Sequence, residues 1–149
     1  YDLLIDGFNK NGKKLIIIGD GSLLESLMQK ANSNIEFKGF LFPEKYKDFL
    51  KKAKAFIFCG KEDFGIALLE PQVCGTPVIA YGDGGAMDTV VDMKTGIIYN
   101  DQTVDSLREA IDLFEQSVFD YDTIRKHALG FSVDNFKSKF QENVAEVLA

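Results

Sequence analysis

Tryptophan is absent from these 149 residues, histidine occurs once, cysteine twice and proline three times. The histidine and cysteine counts each remove a class of function. With a single histidine, any Ser-His-Asp or Cys-His relay would have to run through His127. That residue lies in Arg125-Lys126-His127, far from any nucleophile signal, and reads as a surface residue. Cys59 and Cys74 are too few for a disulfide framework and lack metal-ligand spacing. They read as two small buried thiols in a reducing cytoplasm. No apolar run approaches the ~20 residues that span a bilayer. The opening Tyr1-Asp2-Leu3-Leu4 lacks the basic flank of a signal peptide. Basic residues are outnumbered, 17 Lys and Arg against 23 Asp and Glu for a net charge of −6, and they are scattered. A nucleic-acid surface is therefore not expected.

The remaining composition is that of a globular domain, 46% apolar and 27% charged. A chain of this length buries a core without disulfides or metal. Short apolar runs alternate with helical spacing. Leu15-Ile16-Ile17-Ile18, Ile35-Glu36-Phe37, Ala55-Phe56-Ile57-Phe58, Pro77-Val78-Ile79-Ala80 and Ile97-Ile98-Tyr99 read as strands. Between them, helices are expected over 2–9, from Ser22, from Pro43, over 64–74 and over 86–91. Ser22 with Glu25 forms a capping-box pattern ahead of Leu23, Leu24, Leu27 and Met28. Three further helices fill 103–149, the last aligning Phe136, Phe140, Val144 and Val147. Strands separated by helices predict an α/β fold, a Rossmann-like, doubly wound parallel sheet in one domain. A nucleotide-binding half of this kind ordinarily opens on a strand, whereas this chain opens on a helix. That order suggests a piece of something longer.

In such sheets ligands sit beyond the carboxyl ends of the strands. Three loops qualify. Gly19-Asp20-Gly21-Ser22 lets backbone approach a phosphate at a helix start, or is simply a tight strand-to-helix turn. Glu62-Asp63-Phe64-Gly65-Ile66 leads into a helix that carries a second acid, Glu70, eight positions on. A helix N-terminus suits a diphosphate and carboxylates suit pairs of hydroxyls. Alternatively, Glu62 caps the helix and Glu70 is solvated. Glu70 in the apolar company of Ile66 to Val73 favours a ligand role. Gly82-Asp83-Gly84-Gly85 is the third loop, again with backbone N–H groups at a helix start. The lysines of 51–54 read as a solvated basic run.

The order of these pieces resembles the C-terminal, donor-binding domain of retaining GT-B glycosyltransferases of family 4. The matching segments are Leu15-Ile-Ile-Ile-Gly-Asp-Gly, Ile35-Glu-Phe-Lys-Gly39, Ala55-Phe-Ile-Phe, Glu62-Asp-Phe-Gly-Ile with Glu70, Gly75-Thr-Pro-Val-Ile-Ala80, Gly84-Gly85 with Asp88, and Thr95-Gly96. The paired glutamates followed by Gly-Thr-Pro-Val are the specific combination. The resemblance implies transfer of a hexose from a nucleotide-diphosphate sugar with retention of configuration, in surface polysaccharide or lipopolysaccharide synthesis. It places Glu62, the catalytic candidate, near the donor hexose and Glu70 on the ribose hydroxyls. Phe64, Gly65 and Ile66 would hold sugar and diphosphate through their amides, with Gly19 and Gly21 also at the donor site. Phe40 and Leu41 would meet the base through backbone groups.

The resemblance implies no cofactor and no metal; the diphosphate is neutralised by basic residues and helix dipoles. The family's Arg and Lys for that task would precede Tyr1, as would an N-terminal acceptor domain that presents a glycan or lipid-linked acceptor. The parent protein is expected in the cytoplasm, with peripheral contact at the inner face of the membrane. Details around Ala80-Tyr81-Gly82 and Phe131-Ser132 look like mannosyltransferases, which favours GDP-mannose as donor, with a UDP-sugar as the alternative. Gly84-Gly85-Ala86-Met87-Asp88 departs from the family by a shorter acid, and Glu70-Pro71-Gln72-Val73-Cys74-Gly75 by its middle residues. Two other readings stand beside this one: a non-catalytic nucleotide-binding module of similar fold, and another GT-B enzyme such as a phosphorylase or epimerase.

Overall fold

A computed structural model describes residues 1–148. Helix α1 (Asp2–Asn11) precedes strand β1 (Leu15–Ile17), helix α2 (Leu24–Lys30), strand β2 (Ile35–Phe37) and helix α3 (Pro43–Lys52). Strand β3 (Phe56–Phe58), helix α4 (Ile66–Val73), strand β4 (Val78–Tyr81), helix α5 (Ala86–Thr89) and strand β5 (Gly96–Tyr99) follow. Helices α6 (Val104–Gln116), α7 (Tyr121–Leu129) and α8 (Val133–Leu148) end the described chain.

The strands are parallel, as the helical crossovers require. The ladder is not one sheet but two. β1 pairs with β2 in the register Leu15 opposite Ile35, and β3, β4 and β5 pair in that order, with Ile79 opposite Ile57 and Ile97. Among the described residues no ladder joins β1 to β3. One apolar cluster nevertheless serves both pieces. Leu15, Ile17 and Ile35 pack with Leu4, Ile5 and Phe8 of α1, Ile79 and Ile97 of the larger sheet, and Leu107 and Ile111 of α6. The unbroken apolar run of β4 is explained by burial on both sides, Ile79 in this cluster and Val78 and Ala80 in a second with Leu68, whereas Ile16 on the other face of β1 is half-buried. β3, expected to be buried, is only half-buried at one edge of its sheet, whereas β5 at the other edge is covered, Ile97 and Tyr99 packing with the α6 residues Leu107 and Ile111.

The helix ends follow local chemistry. Thr103 caps α6 by accepting from the Ser106 amide, and Asp120 caps α7 by accepting from Asp122 and Thr123. Gly12 at φ 68° closes α1 in the left-handed conformation. The capping box expected at Ser22 does not form. α2 starts one residue later, after Leu23, with no side-chain cap, and Asp20 instead accepts from the Gly21 amide at 2.8 Å. Of the expected apolar stripe, only Leu27 is buried, while Leu23 and Met28 face solvent. The 64–74 and 86–91 helices are shorter than expected, at both ends for α4 and at the C-terminal end for α5. Cys59 and Cys74 are free thiols, half-buried rather than fully enclosed.

Candidate donor site

The two sheet pieces carry the candidate residues at their carboxyl ends in two groups. On the smaller piece, Gly19 adopts φ 128° and donates its N–H to the Gly39 carbonyl at 2.9 Å. This bond ties the loop after β1 to the loop after β2. Gly21 is exposed in the first loop. In the second, Phe40 is 69% exposed and Phe42 72%, their rings edge to face with centroids 5.5 Å apart. Leu41 between them is half-buried. α3 begins at once after this aromatic pair, with Pro43 in its first turn.

The larger piece brings more together. The loop after β3 and the loop after β4 are laced by backbone: the Gly85 N–H donates to the Glu62 carbonyl at 2.6 Å, and Glu62 and Gly84 form a parallel bridge. This closeness demands glycine. A Cβ on Gly84 would come within 2.1 Å of the Glu62 oxygen, and one on Gly85 within 2.2 Å of the Phe64 carbonyl carbon. Lys61 and Asp83 close the same junction with an ion pair at 2.9 Å. The pair lowers the Asp83 carboxyl below, and raises the Lys61 amine above, their ordinary ranges. Both groups are exposed, so water and salt screen the pair.

Glu62 does not cap α4. That position belongs to Gly65, at φ 86°, and a Cβ there would lie 2.9 Å from the Thr89 Oγ1. Gly65 is buried, while Phe64 and Ile66 on either side are exposed. The first N–H groups of α4 have no partner within the helix. Leu68, Pro71 and Gln72 form its buried face at helical spacing, so Glu70 falls on the opposite side. The expectation that Glu70 is enclosed by apolar neighbours is thus corrected: it is exposed. Its notable neighbour is Tyr46 of α3. Partial burial first, and the Glu70 carboxylate second, push the Tyr46 hydroxyl up to about 12. A buried bond from Thr76 Oγ1 to the Leu50 carbonyl, 2.6 Å, holds α3 against the end of α4.

Three residues escaped the sequence reading. Thr89, fully buried at the end of α5, donates its Oγ1 hydrogen to the Gly85 carbonyl at 2.7 Å. Gln72, also fully buried, donates through Nε2 to the carbonyls of Leu68 and Thr89, each at 2.9 Å. His127 is not a surface residue. It is half-buried, with Nε2 3.1 Å from the Thr89 carbonyl and its ring edge-on to Phe131. Asp88, the shortened acid, is exposed. Among the described residues no group of three or more His, Cys, Asp or Glu could hold a metal ion, and no helix is long and apolar enough to cross a membrane.

Comparison with known proteins gives this geometry a family. The chain is 36% identical over 132 residues to a GDP-mannose-dependent monoacylated alpha-(1-6)-phosphatidylinositol monomannoside mannosyltransferase of Corynebacterium glutamicum, covering 78% of this chain and 32% of the relative. It is 30% identical over 114 residues to a GDP-mannose-dependent alpha-(1-6)-phosphatidylinositol monomannoside mannosyltransferase of Mycobacterium tuberculosis, 68% of this chain and 30% of that protein. The chain therefore spans about a third of these relatives' lengths. Its fold matches the lipopolysaccharide outer core galactosyltransferase WaaB, with TM-score 0.82 at 20% identity over 97% of this chain and 44% of that one. It also matches Anabaena HepE in complex with UDP and glucose, with TM-score 0.77 at 21% identity over 97% and 44% of the two chains. The expected α/β fold of a GT-B glycosyltransferase domain is thereby borne out. The family model for glycosyl transferases group 1 matches residues 1–128, and the chain belongs to that family.

Proposed function

We propose that this chain is the donor-binding domain of a retaining glycosyltransferase that uses a nucleotide-diphosphate hexose, with GDP-mannose the favoured donor. One observation carries the reading: Glu62 precedes the glycine-started N-terminus of α4, Glu70 lies exposed on the same helix, and the Gly84–Gly85 loop is laced to the Glu62 turn. Two carboxylates and the free N–H groups of a helix start are thus carried by one loop and helix, a match for a polyhydroxyl ligand that bears a diphosphate. The GDP-mannose dependence named for both mannosyltransferase relatives supports the choice of base and sugar. The UDP named with the HepE structure keeps a UDP-sugar as the alternative.

In this scheme Glu70 accepts hydrogen bonds from the ribose hydroxyls. Glu62 orients the hexose. The amides at Phe64, Gly65 and Ile66 meet sugar and diphosphate, and the loops at Gly19, Gly21, Phe40 and Leu41 frame the nucleoside side. An acceptor hydroxyl attacks the anomeric carbon on the face from which the diphosphate departs, and a diphosphate oxygen receives its proton. The group is transferred to a glycan or lipid-linked acceptor held by another domain of the parent protein, at the cytoplasmic face of a membrane, in surface polysaccharide synthesis. No cofactor enters the scheme. Lys61 is already engaged by Asp83, so further cations for the diphosphate come from outside the described site.

Calorimetric titration of the chain with GDP, UDP and ADP tests the reading. Selective binding of one, lost in Glu70→Ala, is the expected result. Equal affinity of wild type and Glu70→Ala would remove Glu70 from the ribose.

A further inference from the structure

We infer that Gln72 and His127 are positioning residues for the donor loops, acting together on the Thr89 carbonyl; the inference rests on the donor-site reading above. A backbone carbonyl has two lone pairs. At Thr89 both are taken by side chains from other helices, Gln72 Nε2 of α4 at 2.9 Å and His127 Nε2 of α7 at 3.1 Å. This carbonyl ends the single turn of α5, where the helix has no further N–H to offer it. The orientation of both donors is determined. Gln72 faces two carbonyls, Leu68 and Thr89, so its NH2 and not its oxygen points to them, and its Oε1 is left buried without a partner. Thr89 O can only accept, so the His127 Nε2 carries hydrogen.

The consequence travels through α5. Thr89 reaches back with its amide (3.1 Å) and Oγ1 (2.7 Å) to the carbonyl of Gly85. Gly85 in turn donates its N–H to Glu62 at 2.6 Å and lies against Phe64 and Gly65. Two side chains from behind the site thus fix one end of a four-residue helix whose other end sets the Glu62–Gly65 turn. A buried glutamine with one unfilled polar atom opposes stability unless its remaining bonds are required. A small helix of one turn has little order of its own, which is why an external clamp matters here.

Hydrogen exchange and histidine NMR on the chain test this. In the wild type, 15N spectra of His127 should show the hydrogen on Nε2. In His127→Phe, which keeps an aromatic ring against Phe131, the Gly85 amide should exchange about tenfold faster, as expected for one buried hydrogen bond lost. The amides of Ile79 and Ile97 should keep their rates. His127→Gln should restore Gly85 protection, and Gln72→Met should repeat the loss. GDP affinity should fall several-fold in His127→Phe and Gln72→Met. A hydrogen on Nδ1 in the wild type would overturn the inference even if no variant folds. So would unchanged Gly85 exchange, or a rise shared equally by Ile79 and Ile97. If Glu70→Ala weakens GDP binding while both clamp variants leave it unchanged, the positioning role fails and the donor site stands. If Glu70→Ala leaves GDP binding unchanged while Gly85 responds as expected, the donor reading fails and the clamp stands as a feature of the fold.

Discussion

The N–H of Gly85 meets the carbonyl of Glu62 at 2.6 Å, so the acid nearest the strand edge is held through its backbone rather than its side chain. The Glu62 carboxylate is left free to face a ligand while its Cα is fixed from below. The same bond explains why the loop after β4 carries consecutive glycines. Replacing Gly85 by alanine puts a methyl group within 2.4 Å of the Phe64 carbonyl oxygen. We expect Gly85→Ala to destabilise the chain by about 2 kcal/mol, the scale of a forced core overlap. Thermal unfolding reads that directly, and an unchanged midpoint would show that the two loops can separate without penalty.

Glu70→Ala should weaken nucleoside diphosphate binding by roughly 1.5–3 kcal/mol, the range for hydrogen bonds to a charged group. The loss should shrink when the ligand lacks its ribose hydroxyls, because the carboxylate then has nothing to accept from. Titration of wild type and variant with GDP and with the 2′,3′-dideoxy analogue makes the comparison.

Glu62→Gln keeps shape and removes charge. With Glu62 on the hexose and not the nucleotide, GDP affinity of the chain should be unaltered. Transfer by the parent enzyme should fall by at least about tenfold, the effect of a misoriented reactant. A variant that transfers at the wild-type rate would take Glu62 out of the mechanism.

The raised Tyr46 hydroxyl makes an alkaline prediction. The folded chain holds this proton up to about 12, against an ordinary tyrosine value of 10.0. Above its ordinary range the unfolded chain releases the proton first, so stability is complete below pH 10 and falls as pH rises from 10 to 12. Tyr46→Phe should flatten that part of the pH-stability curve. Glu70→Gln should bring Tyr46 titration, followed by 13C NMR of its ring, back toward the ordinary value. Failure of Glu70→Gln to shift it would separate the two side chains.

Most of the framework was legible because it rests on local chemistry. The five strands announce themselves as short apolar runs, and all five form within a residue or two of the expected place. Gly65 and Gly75 bracket α4, and both adopt positive φ there. What escaped was decided by tertiary neighbours. Ser22 has the right spacing for a capping box, yet α2 starts one residue later and the hydroxyl has no helix start to cap. Glu70 reads as an acid in apolar company, but helical spacing turns it away from Leu68 and Gln72. His127 sits between charged neighbours in sequence, and only the packing of α7 on α4 brings it under Thr89. A buried glutamine gives no signal at all, since its partners are backbone carbonyls distant in sequence or hidden within its own helix.

The divided sheet has a consequence for cooperativity. Backbone ladders transmit rigidity through directional bonds, whereas here the halves communicate through interlocked side chains: Leu4 and Phe8 of α1 and Leu107 and Ile111 of α6, packed together with Ile17 and Ile79. A close-packed interior of this kind responds to volume, so trimming one of these residues should loosen both halves together. Fraying of the β1–β2 ladder alone need not propagate into β3, β4 and β5. The donor-site loops at the ends of the two pieces are therefore mounted on platforms that can breathe separately while they share one keel.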